Sequence, residues 1–440
     1  MRVQGARGAA LAALQKWRKS DAWSDAALNA AIRRAELDAR DASLASRICY
    51  GTLQNLNLLD HVLSQCCDRA ISKLEPQVLD ILRISAYQLL MMDRVPARAA
   101  VHEAVELCKS CGCQRASGLV NAVLRRVAAL NGALPNLPET GTAEFLSVRY
   151  SHPLWLCQSW IQTHGYAFAE AALAADNADV PTCLQCNQPR VDASRLFAAL
   201  REEGLSVEMH PHLPDAILCS GGDFLSSKPF CDGWFYVQDA AAKYAVLIAD
   251  PLPGMQVLDA CAAPGGKSFA AAIQMRNTGR ILSCDIHESK LKRLREGADR
   301  LGITIIETHA MDARKPQLDP ESFDVVLADV PCSGLGVIRK KPEIRYKSPE
   351  TLAALPQIQL EILCGLAPMV KPGGTLLYST CTVQRNENED VISAFLSEDT
   401  RFALEPISLP WLSAPDGMHT FWPHIDGTDG FFVAKLRKHV

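Results

Sequence analysis

The sequence predicts a multidomain chain: an all-helical N-terminal domain, a small α+β connector, and a C-terminal α/β domain built on a parallel, doubly wound sheet. Three observations carry this. Apolar residues recur at helical spacing through the first 130 residues. Breaker-rich and mixed segments follow. From about residue 236, short apolar runs of strand character alternate with helical stretches. The boundaries expected are 1–135, 142–235 and 236–440.

In the first domain, Val101, Ala104, Val105 and Cys108 fall on one helix face, as do Val120, Val123, Leu124 and Val127. The stops are expected near Gly112 and Asn131-Gly132, and the breaker-rich run to Gly141 reads as a linker. The connector reads as a helix over Leu154–Ala175, strands at Thr182–Cys186 and Ala216–Leu218, and a helix at Ala193–Glu203. In the last domain, strands are expected at Gln256–Asp259, Arg280–Asp285, Thr304–Thr308, Asp324–Ala328, Thr375–Ser379 and Phe431–Leu436. Such a sheet binds its ligand at the strand C-terminal ends.

With 440 residues, 48% hydrophobic and 21% charged, the chain has ample core and little disorder. No apolar run suggests a membrane span, and charges interrupt the apolar stretch of Met1–Ser20, which makes it a poor signal peptide. Sixteen cysteines in so long a chain suggest reduced thiols and a cytoplasmic setting rather than a disulfide framework. Net charge is −4, but residues 1–140 carry +5 and the rest −9, so a basic partner-binding region is expected near the N-terminus. Cys108, Cys111 and Cys113, with Cys183 and Cys186, invite a zinc reading. Their placement across different domains argues against it, and no metal is expected.

Val257–Ser268 reads as a strand, a tight loop and a helix start, with Gly265 and Gly266 letting the backbone approach a ligand. Gly266-Lys267-Ser268 resembles a phosphate loop, but that motif needs glycine at position 261, which is Cys. Three acids follow at successive strand ends. Asp285 is placed to accept from ribose hydroxyls, Asp312 from an adenine amine, and Asp329 ends the fourth strand. A lone acid there is more often a cap or turn residue; three in series favour an adenosine ligand without required phosphates, which fits S-adenosylmethionine.

Two thiols, Cys332 in Asp329-Val-Pro-Cys-Ser333 and Cys381 in Ser379-Thr-Cys381, each follow a strand of the same sheet. A single buried cysteine at a strand end is usually structural. A pair beside a nucleotide-like loop fits methylation of a cytosine carbon. Cytosine C5 is a poor nucleophile until a thiolate adds to C6 and turns the ring into an enamine. A carboxylic acid helps by protonating or hydrogen-bonding N3, and Asp329 stands close enough in sequence for that task; donating a proton would require a raised pKa. Spacing leaves open which thiol attacks. Arg339, Lys340, Lys341 and Arg345 follow the Pro-Cys loop and are expected to hold RNA phosphates, with Tyr346 available for stacking. His152 reads as a structural imidazole bonded to backbone. Exocyclic amino methylation needs no thiol, and a non-catalytic RNA-binding factor needs none of these residues.

Taken with Arg149-Tyr-Ser-His-Pro153, Val237-Gln-Asp239 and Asp429-Gly-Phe-Phe432, these motifs resemble the RNA cytosine-5 methyltransferases of the Nop2/Sun type, nearest the bacterial branch acting on 16S ribosomal RNA. The first 135 residues resemble a NusB-like RNA-binding domain, with Leu44–Gly51 the clearest stretch, and the C-terminal domain a Rossmann-like methyltransferase. The resemblance implies Cys381 as nucleophile and Cys332 in product release; Asp329 and Lys267 are expected as further catalytic residues. It implies S-adenosylmethionine held by Cys261, Ala262, Ala263, Pro264, Gly265, Gly266, Lys267, Asp285, Asp312 and Asp329. The expected partner is 16S ribosomal RNA, with no membrane, and the chain is expected to be a monomer. Ser268 stands where Thr is usual, and Met311 where Gly is frequent.

Overall fold

The computed structural model describes residues 5–20 and 24–440; the parts of the expected helical domain at 1–4 and 21–23 lie outside the described residues. The chain forms two compact units. One comprises residues up to Asn177 with Lys340–Lys347, the other Ala178–Arg339 with Ser348–Val440.

The first unit is helical. Helices Gly5–Ser20, Ser24–Ala35, Ala39–Gln54, Leu56–Cys66, Pro76–Met91, Ala97–Ser110 and Ser117–Ala129 bury one apolar core that includes Ile48, Leu59, Ile81, Leu82 and Leu124. Local chemistry sets their ends. Asp38 caps Ala39–Gln54 by accepting the Asp41 N–H at 2.8 Å, and Pro76 opens its helix, where a missing N–H costs nothing. The helix foreseen over Leu154–Ala175 is two, Leu154–His164 and Tyr166–Ala175, broken at Gly165 with φ +85°. Both fall within the first compact unit.

In the second unit, β1 (Thr182–Cys186), β2 (Val207–Met209), β3 (Ala216–Cys219) and β4 (Phe235–Val237) form an antiparallel sheet ordered β2-β3-β1-β4. Helix Ala193–Glu202 packs its Leu196 and Leu200 into the core of that sheet. The larger sheet contains β5 (Gln256–Asp259), β6 (Arg280–Asp285), β7 (Ile306–Ala310), β8 (Phe323–Asp329) and β9 (Val370–Thr380), all parallel, in the order β9-β8-β5-β6-β7. Beyond β9 the chain adds β10 (Phe402–Leu404), a small hairpin of β11 (Ile407–Leu409) and β12 (Leu412–Ala414), β13 (Met418–Phe421) and β14 (Phe431–Lys438).

The expectation of an all-parallel sheet is corrected here. β14 pairs antiparallel with β9, β10 and β13. The chain enters β14 from β13 through the short turn 422–430, at the end of the sheet where β9 stops, so no crossover helix reverses its direction. The segment Pro349–Met369 has the length and mean hydropathy, 1.3, of a membrane span, against the expectation that no run would. It folds as Pro349–Leu352, Leu355–Leu366 and a tight turn at Ala367–Met369, with Ile362, Leu363 and Leu366 in the core under the sheet.

Candidate active site

Parallel pairing brings the sequence motifs together. In register, Asp329 of β8 sits opposite Ser379 of β9, and Leu327 opposite Asp259 of β5. The two cysteines lie three and two residues beyond a matched pair, so residues 49 positions apart emerge from the same sheet edge side by side. Their sulfurs are 3.2 Å apart. Both cysteines are half-buried. The nearby Cys381 sulfur, with burial, holds the Cys332 thiol well above its ordinary value. Cys332 therefore keeps its proton at neutral pH.

Asp329 and Lys267 lie at the same edge. Lys267 Nζ is 2.6 Å from Asp329 Oδ2, and the Ser379 hydroxyl donates to Asp329 Oδ1 at 2.9 Å. The ammonium also stands over the Phe431 ring, 4.9 Å from its centre. The carboxyl expected to protonate or hydrogen-bond the ring is thus half of an ion pair.

The glycine loop fits the sulfonium donor expected of it. Gly265 has φ +114°, and a Cβ there would lie 2.6 Å from the Phe269 ring. Helix Gly266–Gln274 has no side-chain cap, so its first N–H groups face the loop with their donors open to a carboxylate. Ala262 N–H is bound to the Cys284 carbonyl at 2.6 Å, which ties the loop to β6. Below it, Asp259 is fully buried. Its Oδ2 accepts from the Ser268 hydroxyl at 2.6 Å, while Oδ1 has no hydrogen-bond partner among the described residues. Burial pushes the Asp259 carboxyl up to about 7 and the Cys261 thiol up as well. A buried oxygen with no donor, beside an open helix start, suits the ammonium and carboxylate of a bound amino acid moiety.

Asp285 is buried at the end of β6, accepting the His287 N–H at 2.9 Å. Next to it Ile286 is 56% exposed, an apolar surface for a base that the sequence reading missed; an apolar residue directly after a strand-end acid was the available signal. Asp312 follows β7, and Arg314 grips its carboxylate at 2.7 Å and holds it below the ordinary range. An adenine amine would share that carboxylate with Arg314.

The four cations expected on RNA divide. Arg345 is fully buried in the helical unit, donating to the carbonyls of Gln54, Tyr150 and Ser151 and to Asn177 Oδ1. Tyr346 donates to the Leu53 carbonyl and meets Trp17 edge to face. Arg339, its side chain 4% exposed, lies 2.7 Å from Asp429 and 3.6 Å from Asp239. A guanidinium enclosed by carbonyls or carboxylates cannot meet a phosphate, so the RNA role is withdrawn from Arg339 and Arg345, and Tyr346 is no stacking platform. Lys340 is exposed and Lys341 partly so. His152 is fully buried, with Nδ1 2.8 Å from the Tyr150 carbonyl, and burial pushes it down to the neutral form. No metal-binding group of three or more His, Cys, Asp or Glu occurs among the described residues, and none of the sixteen cysteines is in a disulfide.

Comparisons with known proteins identify the family. Residues 246–437 match the family described as 16S rRNA methyltransferase RsmB/F, 4–129 match the NusB family, and 152–222 match a ferredoxin-like domain of RsmF/B-like methyltransferases. The chain is 39% identical over 449 residues to the probable ribosomal RNA small subunit methyltransferase B of Bacillus subtilis (strain 168), covering 100% of both proteins. It is 34% identical to the ribosomal RNA small subunit methyltransferase B of Klebsiella pneumoniae, over 91% of this chain and 90% of that one. Among solved structures, that of PH0851 superposes with a TM-score of 0.83 at 28% identity, covering 98% of each chain. A methyltransferase homologue from Pyrococcus horikoshii gives 0.59 at 27% identity, over 68% of this chain and 100% of that one. The chain therefore belongs to the 16S rRNA methyltransferase RsmB/F family, and is an S-adenosylmethionine-dependent methyltransferase of ribosomal RNA.

Proposed function

We propose that the chain methylates C5 of one cytosine in 16S ribosomal RNA through a transient bond between Cys381 and C6. The observation that carries this is the pair of sulfurs 3.2 Å apart, beside the glycine loop and the Lys267–Asp329 pair. An amine methyltransferase has no use for two thiols at one sheet edge.

The target base must leave its stack to reach them. Cys381 sulfur adds to C6, and the Lys267–Asp329 pair supplies the hydrogen bond that takes up the charge growing at N3. S-adenosylmethionine supplies an electrophilic methyl group. C5, now electron-rich, takes that methyl group; its proton then passes to water, and the C6–sulfur bond breaks with its electron pair returning to the Cys381 sulfur, which restores the aromatic ring. We assign Cys332 to this last step, where its thiol, held protonated beside the departing sulfur, supports the reading. Cys261–Lys267, Asp285, Asp312 and Asp329 hold the donor, with Ile286 against its base. Lys340, Lys341 and the NusB-like domain contact RNA. We read the chain as a cytoplasmic monomer without a membrane partner; sixteen cysteines without a disulfide support a reducing compartment.

The test is a pair of variants on ribosomal RNA lacking the modification. Cys381→Ala abolishes methyl transfer and gives no covalent adduct. Cys332→Ala accumulates an RNA–protein adduct that survives denaturing electrophoresis. Bisulfite sequencing locates the cytosine. Full turnover by Cys381→Ala, or a product methylated on an exocyclic nitrogen, would refute the assignment.

A further inference from the structure

Behind the two thiols lies a buried polar cluster that neither the motifs nor the family reading accounts for. Gln359, Glu387 and Asn388 are 0%, 2% and 0% exposed. Gln359 projects from helix Leu355–Leu366, and Glu387 and Asn388 precede helix Glu389–Glu398. Their bonds end on the residues that flank each cysteine.

Around Cys332, Gln359 Nε2 donates to the Pro331 carbonyl at 3.0 Å, just before the cysteine. The same nitrogen donates to Glu387 Oε2 at 3.0 Å, and Glu387 Oε2 accepts the Ser333 N–H at 2.8 Å, just after it. Around Cys381, Asn388 Oδ1 accepts from the Thr380 hydroxyl at 2.7 Å, and Asn388 Nδ2 donates to the Thr382 carbonyl at 3.0 Å. The Ser333 and Thr382 hydroxyls, 2.8 Å apart, join the two halves. Each thiol is thus bracketed on both sides, Cys332 by Gln359 with Glu387 and Cys381 by Asn388.

We propose that Gln359, Glu387 and Asn388 are positioning residues of the reaction, with Gln359 holding Cys332 for product release and Asn388 holding Cys381 for attack. The proposal rests on the thiol roles given above. Hydrogen bonds to charged or buried groups hold the backbone beside each thiol, and a displacement near 1 Å at a nucleophile costs roughly 100-fold in rate. Although Ser333 and Thr382 join the halves, Gln359 reaches only the Cys332 side and Asn388 only the Cys381 side, so losing either weighs mainly on one step. A general packing role would weaken both alike.

The experiment compares Gln359→Leu and Asn388→Ala in the full chain, with 16S ribosomal RNA and S-adenosylmethionine. Gln359→Leu is expected to bond RNA at the wild-type rate but to release it slowly, raising the steady-state adduct at least about tenfold, as Cys332→Ala does. Asn388→Ala is expected to slow adduct formation by about 100-fold, and to do so equally in a Cys332→Ala background. Donor affinity, measured calorimetrically, stays at the wild-type value in both. If either variant melts early, Asn388→Asp (which accepts from Thr380 but cannot donate to Thr382) and Gln359→Glu replace them. Equal losses of adduct formation in the two, unchanged kinetics in both, or the reverse assignment overturns the proposal. Cys332→Ala run in parallel keeps the outcomes distinct: if it traps no adduct, the thiol roles themselves fail.

Discussion

Arg345 offers the sharpest test of how charge is used in this chain. Its guanidinium makes four hydrogen bonds, at 2.9, 3.2, 3.0 and 3.0 Å, to three carbonyls and one amide oxygen inside the helical unit. Replacing it with Met keeps the length and the apolar stem but leaves those four acceptors without their donor. A hydrogen bond to a charged group contributes about 1.5–3 kcal/mol, and the four are not additive. Leaving a buried acceptor without its donor costs about 1–3 kcal/mol, and with four such acceptors, not additive, we take about 4 for Arg345→Met. At roughly 2–4 °C per kcal/mol for a unit of this size, the melting temperature falls by about 10 °C. Circular dichroism melts measure this, and RNA binding at two salt concentrations measures the alternative. An Arg that contacts a phosphate would leave the melt alone and lower the salt slope by about 1. A melt within about a degree of wild type, with weaker and less salt-dependent RNA binding, would refute the buried structural role and restore the phosphate contact.

Asp259 makes stability pH-dependent. Its folded carboxyl, pushed up to about 7, keeps a proton that the unfolded chain releases near 4, so stability falls as pH rises between those values and is level above them. Relative to wild type, donor-free Asp259→Asn should gain up to roughly 3 kcal/mol between pH 4.5 and 8 by denaturant titration, and a difference that stays constant with pH would count against a buried neutral acid. At Gly336, whose N–H donates to the Cys381 carbonyl at 3.0 Å, an added Cβ would lie 1.9 Å from the Gly430 carbonyl oxygen. Gly336→Ala should therefore displace the nucleophile and slow adduct formation about 100-fold while the donor still binds; wild-type adduct kinetics would show that the two loops can part freely.

The motifs were legible because their chemistry is local. Gly265 and Gly266 announce a tight loop wherever the chain goes, and the strands ending at Asp259, Asp285 and Asp329 are short apolar runs bounded by turns. Cys332 and Cys381 could be named as a pair from chemistry, but their separation could not. It follows from Asp329 lying level with Ser379, a register no local pattern records. The cations after the Pro-Cys loop misled for the opposite reason. A run such as Arg339–Arg345 looks the same whether water, phosphate or protein carbonyls receive the charge, and here the last took Arg345 while two carboxylates took Arg339.

Sequence alone determined the helical N-terminal part, the alternating strands and helices after residue 236, the glycine loop and the two cysteines singled out beside it. These depend on periodicity, glycine conformation and the intrinsic reactivity of side chains, all of which act over a few residues. Tertiary structure decided the rest: the antiparallel β14, the Lys267–Asp329 pair, the bracket of Gln359, Glu387 and Asn388, and the enclosure of Arg345. Each of these is an energy between residues far apart in the chain, and it exists only once backbone pairing has brought them within hydrogen-bonding range.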